Sequence, residues 1–127
     1  MSSLQPEQLT IDDAPGELQA AIREFWPESE WNNAARVSNL ESGWDAFALN
    51  DTASKYGCGA YIETRGGINI TAERSVGYFQ INSCNFPSWE WQRLYNARHN
   101  AGTAHALWSA SSTWSPWYFS ARRLGLI

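Results

Sequence analysis

The sequence lacks the features that mark nucleic-acid-binding and membrane proteins. Its formal net charge is −4, its sequence pI is about 5.0, and basic residues form no run, so we expect no nucleic-acid partner. No apolar segment approaches the ~18 residues that cross a bilayer, so we expect no membrane insertion. Residues 1–16 lack a charged-then-apolar signal pattern. The sequence as given therefore predicts no export by the Sec route.

Metal ligands and cysteines are equally scarce. His99 and His105 are separated by six positions, not the three or four that share a helix face, and no Cys or acid completes a site. We therefore expect neither a metal nor a cofactor. A Ser-His-Asp hydrolase is not supported, because the sequence has no nucleophile elbow. Cys58 and Cys84 either form a disulfide, which would close a loop of roughly 25 residues, or remain free thiols.

Aromatic residues, in contrast, are abundant. The 127 residues include 8 Trp, 5 Tyr and 5 Phe, more than the core of so small a protein needs. Some of these rings are therefore expected at the surface, where they suit a flat ligand such as a sugar ring or a protein interface. The length predicts a single domain, 1–127, in which residues 1–12 form a flexible lead-in.

Helical periodicity covers most of the chain. The first predicted helix has the apolar stripe Leu18, Ile22, Phe25 and Trp26, with Asp12 or Asp13 as its N-cap and Pro15 in its first turn. Others are predicted from Pro27 to Glu41, from Pro87 to Leu94, after Asn96 or Asn100, and from Ser115 to Gly125.

Shorter, β-prone runs lie between these helices. Tyr61 to Thr64 and Ile68 to Thr71 flank a Gly-Gly turn and predict a hairpin, and Gly77 to Asn82 predicts a third strand. Asn50 and Asp51 are typical of a turn. The predicted fold class is therefore α+β, mostly α, with a small three-stranded antiparallel sheet beside the end of the second helix.

The second helix carries a single inward-facing carboxylate, Glu41. If Trp31, Ala34, Val37 and Ser38 form its buried face, Glu41 lies on the same face, and Gly43 ends the helix directly after it. Burial without a cation and the negative end of the helix dipole both raise the pKa of such a carboxyl group. An acid that stays protonated near neutral pH can protonate a glycosidic oxygen. The alternative is a solvated Glu in a frayed last turn.

Four motifs occur in an order that resembles the lysozyme-like superfamily, above all its soluble-lytic-transglycosylase and goose-type lysozyme branch. They are the Glu41-Ser42 helix end, the stretch SVGYFQIN at residues 75–82, Asn100-Ala101 with Ala104, and Trp114-Ser115-Pro116-Trp117. The resemblance extends from Pro27 to Tyr118. It implies a lysozyme-like fold and cleavage of peptidoglycan at the β-1,4 bond between N-acetylmuramic acid and N-acetylglucosamine.

The resemblance also implies roles for individual residues. Glu41 would be the general acid, and Ser75 and Gln80 would bind substrate or hold the cleft strand, although Gln80 could equally be a buried amide that satisfies loop backbone. Gly77 would allow backbone or a sugar to approach closely, because it has no side chain. Four aromatic residues are candidates either for stacking on sugar rings or for core packing: Tyr78, Trp44, Trp114 and Trp117.

Several residues are candidates for a second catalytic carboxylate beside Glu41. Ser75 stands where animal lysozymes of the chicken type have a catalytic Asp, so a retaining mechanism through that position is excluded. Glu73 is the first candidate to activate a water in an inverting mechanism, and Asp45, Asp51 and Glu63 are weaker ones. If Glu41 acts alone, the 6-hydroxyl of the sugar would attack and give a 1,6-anhydro product. The tyrosine that supports the acid in this family is not recognisable, and Tyr118 is a tentative assignment.

The expected partner is a peptidoglycan glycan strand, and we expect a monomer that acts on the bacterial cell wall. Since no signal pattern is found, the sequence predicts a phage-released or virion-associated enzyme, or one exported by another route. A non-catalytic peptidoglycan-binding or virion module on the same fold is the alternative.

Overall fold

The structure is a computed structural model that describes residues 4–54, 61–65, 68–82 and 88–127, and for residues 51–54, 61–65, 68–73 and 88–91 it describes the backbone alone. Cys58 and Cys84, which either form a disulfide or remain free thiols, lie outside the described residues, as does the predicted Gly66-Gly67 turn.

Helices dominate the described part of the chain. The α-helices are α1 (Gly16–Phe25), α2 (Trp31–Ser42), α3 (Ala97–Ser111) and α4 (Tyr118–Arg123). Short 3-10 helices span Pro6–Gln8, Ile11–Asp13, Glu28–Glu30, Ser88–Tyr95 and Ser115–Trp117. The helical segments predicted from the sequence are all present. None of the described helices combines the length and the hydrophobicity needed to span a bilayer.

The start of α1 differs from the predicted one. The carboxylate of Asp13 accepts the backbone N–H of Thr10 at 2.8 Å and so closes the preceding 3-10 turn instead of capping α1. The helix begins later, at Gly16, with Pro15 at its N-cap position. The prediction of Asp12 or Asp13 as the cap is therefore wrong, because a local turn already uses Asp13.

The expected lead-in is folded where the structure describes it. Ile11 is 5% exposed, and its N–H donates a 3.0 Å hydrogen bond to Oδ1 of Asn32 on α2. Arg36, also on α2, donates from Nε to the carbonyl oxygen of Leu9 at 2.7 Å. These bonds connect the segment before α1 to α2, and the flexibility of residues 1–12 stays a prediction.

The sheet is antiparallel, as predicted. Its strands are β1 (Leu49–Ser54), β2 (Tyr61–Arg65), β3 (Ile68–Val76) and the two-residue β4 (Ile81–Asn82). The three longer strands lie in the order β1-β3-β2, and β4 pairs with β3. The predicted fold class, α+β and mostly helical with a small three-stranded antiparallel sheet, is confirmed.

The membership of the sheet is only partly as predicted. Residues 77–80 form a turn, with φ of 76° at Gly77 and 48° at Gln80, and only Ile81 and Asn82 of the predicted third strand pair. The third long strand is β1, where Asn50 pairs opposite Ser75. Asn50 and Asp51 therefore lie in a strand, because pairing with β3 overrides their preference for turns.

One core joins the helices to the turn at residues 77–80. The largest fully buried apolar side chains are Phe79, Leu18, Ile22, Ile81, Leu94, Val37 and Val76. Burial of each such side chain contributes about 1.5–3 kcal/mol. Trp26 stacks on Phe79 and Trp114, with ring centroids 5.3 and 5.8 Å apart. These contacts hold the residue that follows α1 against the turn and against the residue that precedes the 3-10 helix Ser115–Trp117.

Candidate active site

Glu41 lies in the last turn of α2, on the face that the sequence predicted. Ala34, Val37 and Ser38 are fully buried on that face, and Glu41 is half-buried beside them. The helix ends at Gly43, which has φ of 63° and donates its N–H to the Asn39 carbonyl oxygen at 2.7 Å. The left-handed conformation suits glycine and stops the helix directly after the acid.

A cleft of about 400 Å³ opens in front of Glu41. Its lining comes from α2, the sheet, the turn, α3 and the C-terminal helices: Glu41, Ser75, Gln80, Ile81, Asn82, Leu107, Pro116, Trp117 and Phe119. Among these described lining residues Glu41 is the only ionisable one. The described part of the cleft therefore presents a single carboxyl group between polar and apolar walls.

The surroundings of Glu41 favour its protonated form. Burial raises the pKa of the Glu41 carboxyl above its ordinary value, and the hydroxyl of Ser120, which donates to Oε2, partly opposes this rise. No charged side chain in the described part of the chain adds to either effect. The direction agrees with the sequence argument from burial without a cation.

Ser120 was missed by the sequence analysis. It lies on α4, 79 positions from Glu41, and neither periodicity nor a recognised motif marks it. The tentative assignment of Tyr118 as the supporting residue is not supported. Tyr118 is 48% exposed, and its hydroxyl accepts a 2.8 Å hydrogen bond from Arg122, one turn further along the same helix.

Gln80 holds the turn together. Its Nε2 donates to the carbonyl oxygens of Ala48 and Gly77 at 3.1 Å each, and its Oε1 accepts from Nδ2 of Asn50 at 2.5 Å. The side chain is only 8% exposed although it borders the cleft. These bonds match the reading of Gln80 as a buried amide that satisfies loop backbone.

Ser75 and Asn82 form the polar wall of the cleft. They pair across β3 and β4, and Nδ2 of Asn82 lies 3.5 Å from Oγ of Ser75. Both side chains are partly exposed. Ser75 is therefore placed where the sequence predicted it, and Asn82 is a cleft residue that the sequence analysis did not single out.

Two of the predicted stacking residues lie in the core. Tyr78 and Trp114 are each 3% exposed and do not line the cleft. The Tyr78 hydroxyl donates to Glu17 at 2.5 Å, and burial together with this carboxylate raises the pKa of Tyr78. Nε1 of Trp114 donates to Glu30 at 3.0 Å. Neither ring offers a free face to a sugar.

The other two candidates for stacking, Trp44 and Trp117, are also held by hydrogen bonds. Trp44 is partly buried, and its Nε1 donates to the Ala35 carbonyl oxygen at 3.0 Å. Trp117 lines the cleft but is only 5% exposed, and its Nε1 donates to the Phe79 carbonyl oxygen at 2.8 Å. The exposed aromatic ring of the cleft is instead Phe119, at 86% exposure, which the sequence analysis missed.

Of the four candidates for a second carboxylate, Asp45 alone has a described side chain. Asp45 is exposed, and its carboxylate accepts the N–H of Phe47 at 2.9 Å. The backbone of Glu73 lies in β3, paired with Thr52 and two positions before Ser75. The side chains of Glu73, Asp51 and Glu63 are outside the described ones.

No group of three His, Cys, Asp or Glu side chains in the described part of the chain is arranged to hold a metal ion. A larger, shallow groove of about 700 Å³ between α1 and α3 contains none of the predicted site residues and no carboxylate.

Comparison with known proteins identifies the family. A family model described as "Lysozyme like domain" matches residues 27–118, well over half of the chain and the span over which the motifs occur. No curated protein and no solved structure matches the sequence. The matched span includes α2 with Glu41, the sheet, the turn and α3, so the chain belongs to the lysozyme-like domain family.

Proposed function

We propose that this protein cleaves the glycan strand of peptidoglycan, at the β-1,4 bond between N-acetylmuramic acid and N-acetylglucosamine, with Glu41 as general acid. The observation that carries the proposal is the setting of Glu41, a half-buried carboxyl with a raised pKa at the end of a helix, facing a cleft. The family match supports a glycosidase or a lytic transglycosylase. We place the chain in the soluble-lytic-transglycosylase branch on its motifs.

The chemistry requires a proton donor for the leaving oxygen. A general acid works best when its pKa lies near the working pH, and burial moves Glu41 in that direction. As the glycosidic bond breaks, positive charge develops on the sugar, and the carboxylate left on Glu41 stabilises it. One residue can thus supply both the proton and the compensating charge.

The shape of the cleft suits a chain of sugar rings. Phe119 exposes most of its ring on one side, and Ser75 and Asn82 offer hydroxyl and amide groups on another. An aromatic face packs against the C–H bonds of a sugar ring, while the polar groups bond its hydroxyl and acetamido groups. Phe119 therefore takes the stacking role for which Tyr78 and Trp114 are too deeply buried.

The single described carboxylate of the cleft favours the intramolecular route. With Glu41 as the only acid, the same group can first donate its proton and then, as a carboxylate, accept one from the 6-hydroxyl of the muramic acid that attacks the anomeric carbon. The product is then a 1,6-anhydro end. Hydrolysis would instead need a second carboxylate to activate a water, and Glu73 is the candidate for that role.

The test is mass spectrometry of the fragments released from purified peptidoglycan by the wild-type protein and by Glu41→Gln. The wild-type protein is expected to release muropeptides, and Glu41→Gln is expected to lose at least about 100-fold in rate, because it keeps the size of the side chain but has no proton to donate. Thermal unfolding serves as the control for folding. A wild-type rate in Glu41→Gln would refute the proposal. Tight binding of wall fragments by a protein that releases no product would favour the binding module.

A further inference from the structure

We propose that Ser120 is a positioning residue for Glu41. By holding oxygen Oε2 of the carboxyl group, its hydroxyl directs the acidic proton to Oε1, from which it passes to the glycosidic oxygen. This inference rests on the proposed glycan cleavage and names the residue that orients its acid.

The hydrogen bond between Ser120 and Glu41 involves no third group among the described residues. Ser120 is 6% exposed on α4, and its Oγ donates to Oε2 of Glu41. Among the described residues the Ser120 hydroxyl has no other hydrogen-bond partner, and no other side chain or backbone group bonds the Glu41 carboxyl. The orientation of this carboxyl therefore depends on one hydroxyl group.

Protonated Glu41 and Ser120 can be arranged in two ways. In the first, Ser120 donates to Oε2 and the carboxyl proton lies on Oε1. In the second, Oε2 carries the proton and donates it to Ser120, so the serine hydrogen loses the one acceptor that it has among the described residues. A buried donor without a partner is strongly disfavoured. The first arrangement prevails, and it leaves the proton on Oε1, which no described protein group holds.

The same bond assists the reaction after proton transfer. The Glu41 carboxylate keeps the hydrogen bond from Ser120, and a hydrogen bond to a charged acceptor is stronger than one to a neutral acceptor. The cations of α2 and α4 are engaged elsewhere. Arg36 on α2 bonds the Leu9 carbonyl oxygen, and on α4 Arg122 bonds the Tyr118 hydroxyl and Arg123 pairs with Glu7 at 3.2 Å. In the described part of the chain Ser120 is thus the group that stabilises the conjugate base.

The test compares Ser120→Ala, Ser120→Thr and the control Ser109→Ala, which removes an exposed hydroxyl from α3 outside the cleft. The titration of Glu41 is followed by carbon NMR of its side-chain carboxyl, and kcat and KM are measured against pH. Ser120→Ala is expected to raise the pKa of Glu41, to lower kcat by about 10- to 100-fold and to leave KM nearly unchanged. Ser120→Thr keeps the hydroxyl and should restore both the titration and kcat, and Ser109→Ala should titrate as the wild type does.

Unchanged titration and unchanged kcat in Ser120→Ala would overturn the inference. If Ser120→Ala does not fold, as circular dichroism would reveal, Ser120→Cys takes its place. A thiol fills the same site but donates weakly, so the same direction of change is expected, and wild-type titration in that variant would overturn the inference. The titration needs no substrate. If the wild-type protein shows no activity, the proposed function is refuted. The titration of Glu41 would still test the role of Ser120.

Discussion

The side-chain oxygen of Asn100 accepts a 2.9 Å hydrogen bond from the backbone N–H of Phe79, so α3 holds the turn that borders the cleft. Nδ2 of Asn100 donates to the carbonyl oxygens of Val76 and Leu94 at 2.9 and 3.0 Å. The fully buried amide is thus satisfied on both its nitrogen and its oxygen. Because the turn also carries Gln80, this bond fixes one wall of the cleft from the core.

Gly77 is the position at which this arrangement is most sensitive to substitution. It has φ of 76°, and a Cβ there would lie 2.4 Å from both Nδ2 of Asn100 and the Leu94 carbonyl oxygen. We predict that Gly77→Ala destabilises the protein by about 2–5 kcal/mol. The left-handed conformation costs about 1–2 kcal/mol of this, and the forced displacement of Asn100 costs about 1–3 kcal/mol. Urea unfolding measures the loss.

Gly43→Ala is the matched control for this prediction. Gly43 has a similar φ of 63°, but nothing lies within 4 Å of a Cβ built there. Gly43→Ala should therefore show only the cost of the conformation, about 1–2 kcal/mol. Equal losses in the two variants would mean that the turn and Asn100 move apart easily, contrary to a wall fixed from the core.

The features that the sequence predicted are those set by local rules. The inward face of α2 follows from the helical repeat of Ala34 and Val37, and its end follows from Gly43. The position of Glu41 and the direction of its pKa shift needed no knowledge of the rest of the fold. The short β-prone runs added the sheet to this frame, and the helical pattern after Asn96 or Asn100 added α3.

The features that escaped prediction depend on contacts between distant segments. Ser120 becomes relevant only because α4 packs beside the end of α2. The aromatic residues could not be sorted by type, since Tyr78 is buried at 3% exposure and Phe119 is exposed at 86%, and no local pattern separates them. The strand β1 likewise exists because β3 pairs with it, against the turn preference of Asn50 and Asp51.

The pH dependence of stability should carry the signature of Glu41. Burial raises its pKa in the folded protein above the unfolded value, so the folded state binds more protons between the two values. The stability from this group is complete below the unfolded pKa and is lost as the pH rises through the folded pKa. We predict that, as the pH rises from about 4 to 7, the Tm of Glu41→Gln increases relative to the Tm of the wild-type protein. A constant difference across this range would mean that Glu41 is solvated.

Phe119 should contribute to substrate binding and little to stability. Its ring is 86% exposed at the cleft, so Phe119→Ala is expected to weaken the binding of glycan fragments roughly 2- to 10-fold. The free energy of unfolding should change by less than about 0.5 kcal/mol in this variant. Phe119→Trp keeps an aromatic face and should retain binding.

The control for Phe119 is Phe47→Ala. Phe47 is also strongly exposed, at 72%, but lies outside the cleft with its ring 5.5 Å from that of Tyr95. Isothermal titration with wall fragments should therefore show wild-type affinity for this variant. Equal weakening in both variants would point to general surface effects and not to a sugar platform.

The type of product decides whether Glu73 takes part. We predict 1,6-anhydro ends from the wild-type protein, in mass spectra of muropeptides, because Glu41 is the only carboxylate among the described lining residues of the cleft. Glu73→Gln should then leave the product unchanged, as should the control Glu28→Gln, which changes an exposed acid outside the cleft. Reducing ends that disappear in Glu73→Gln alone would instead make Glu73 the base that activates a water, which requires carboxyl groups about 6.5–9.5 Å apart. Since the backbone of Glu73 lies only two positions before Ser75 on β3, that outcome would add a second acid to the cleft and turn the proposed transglycosylase into an inverting hydrolase.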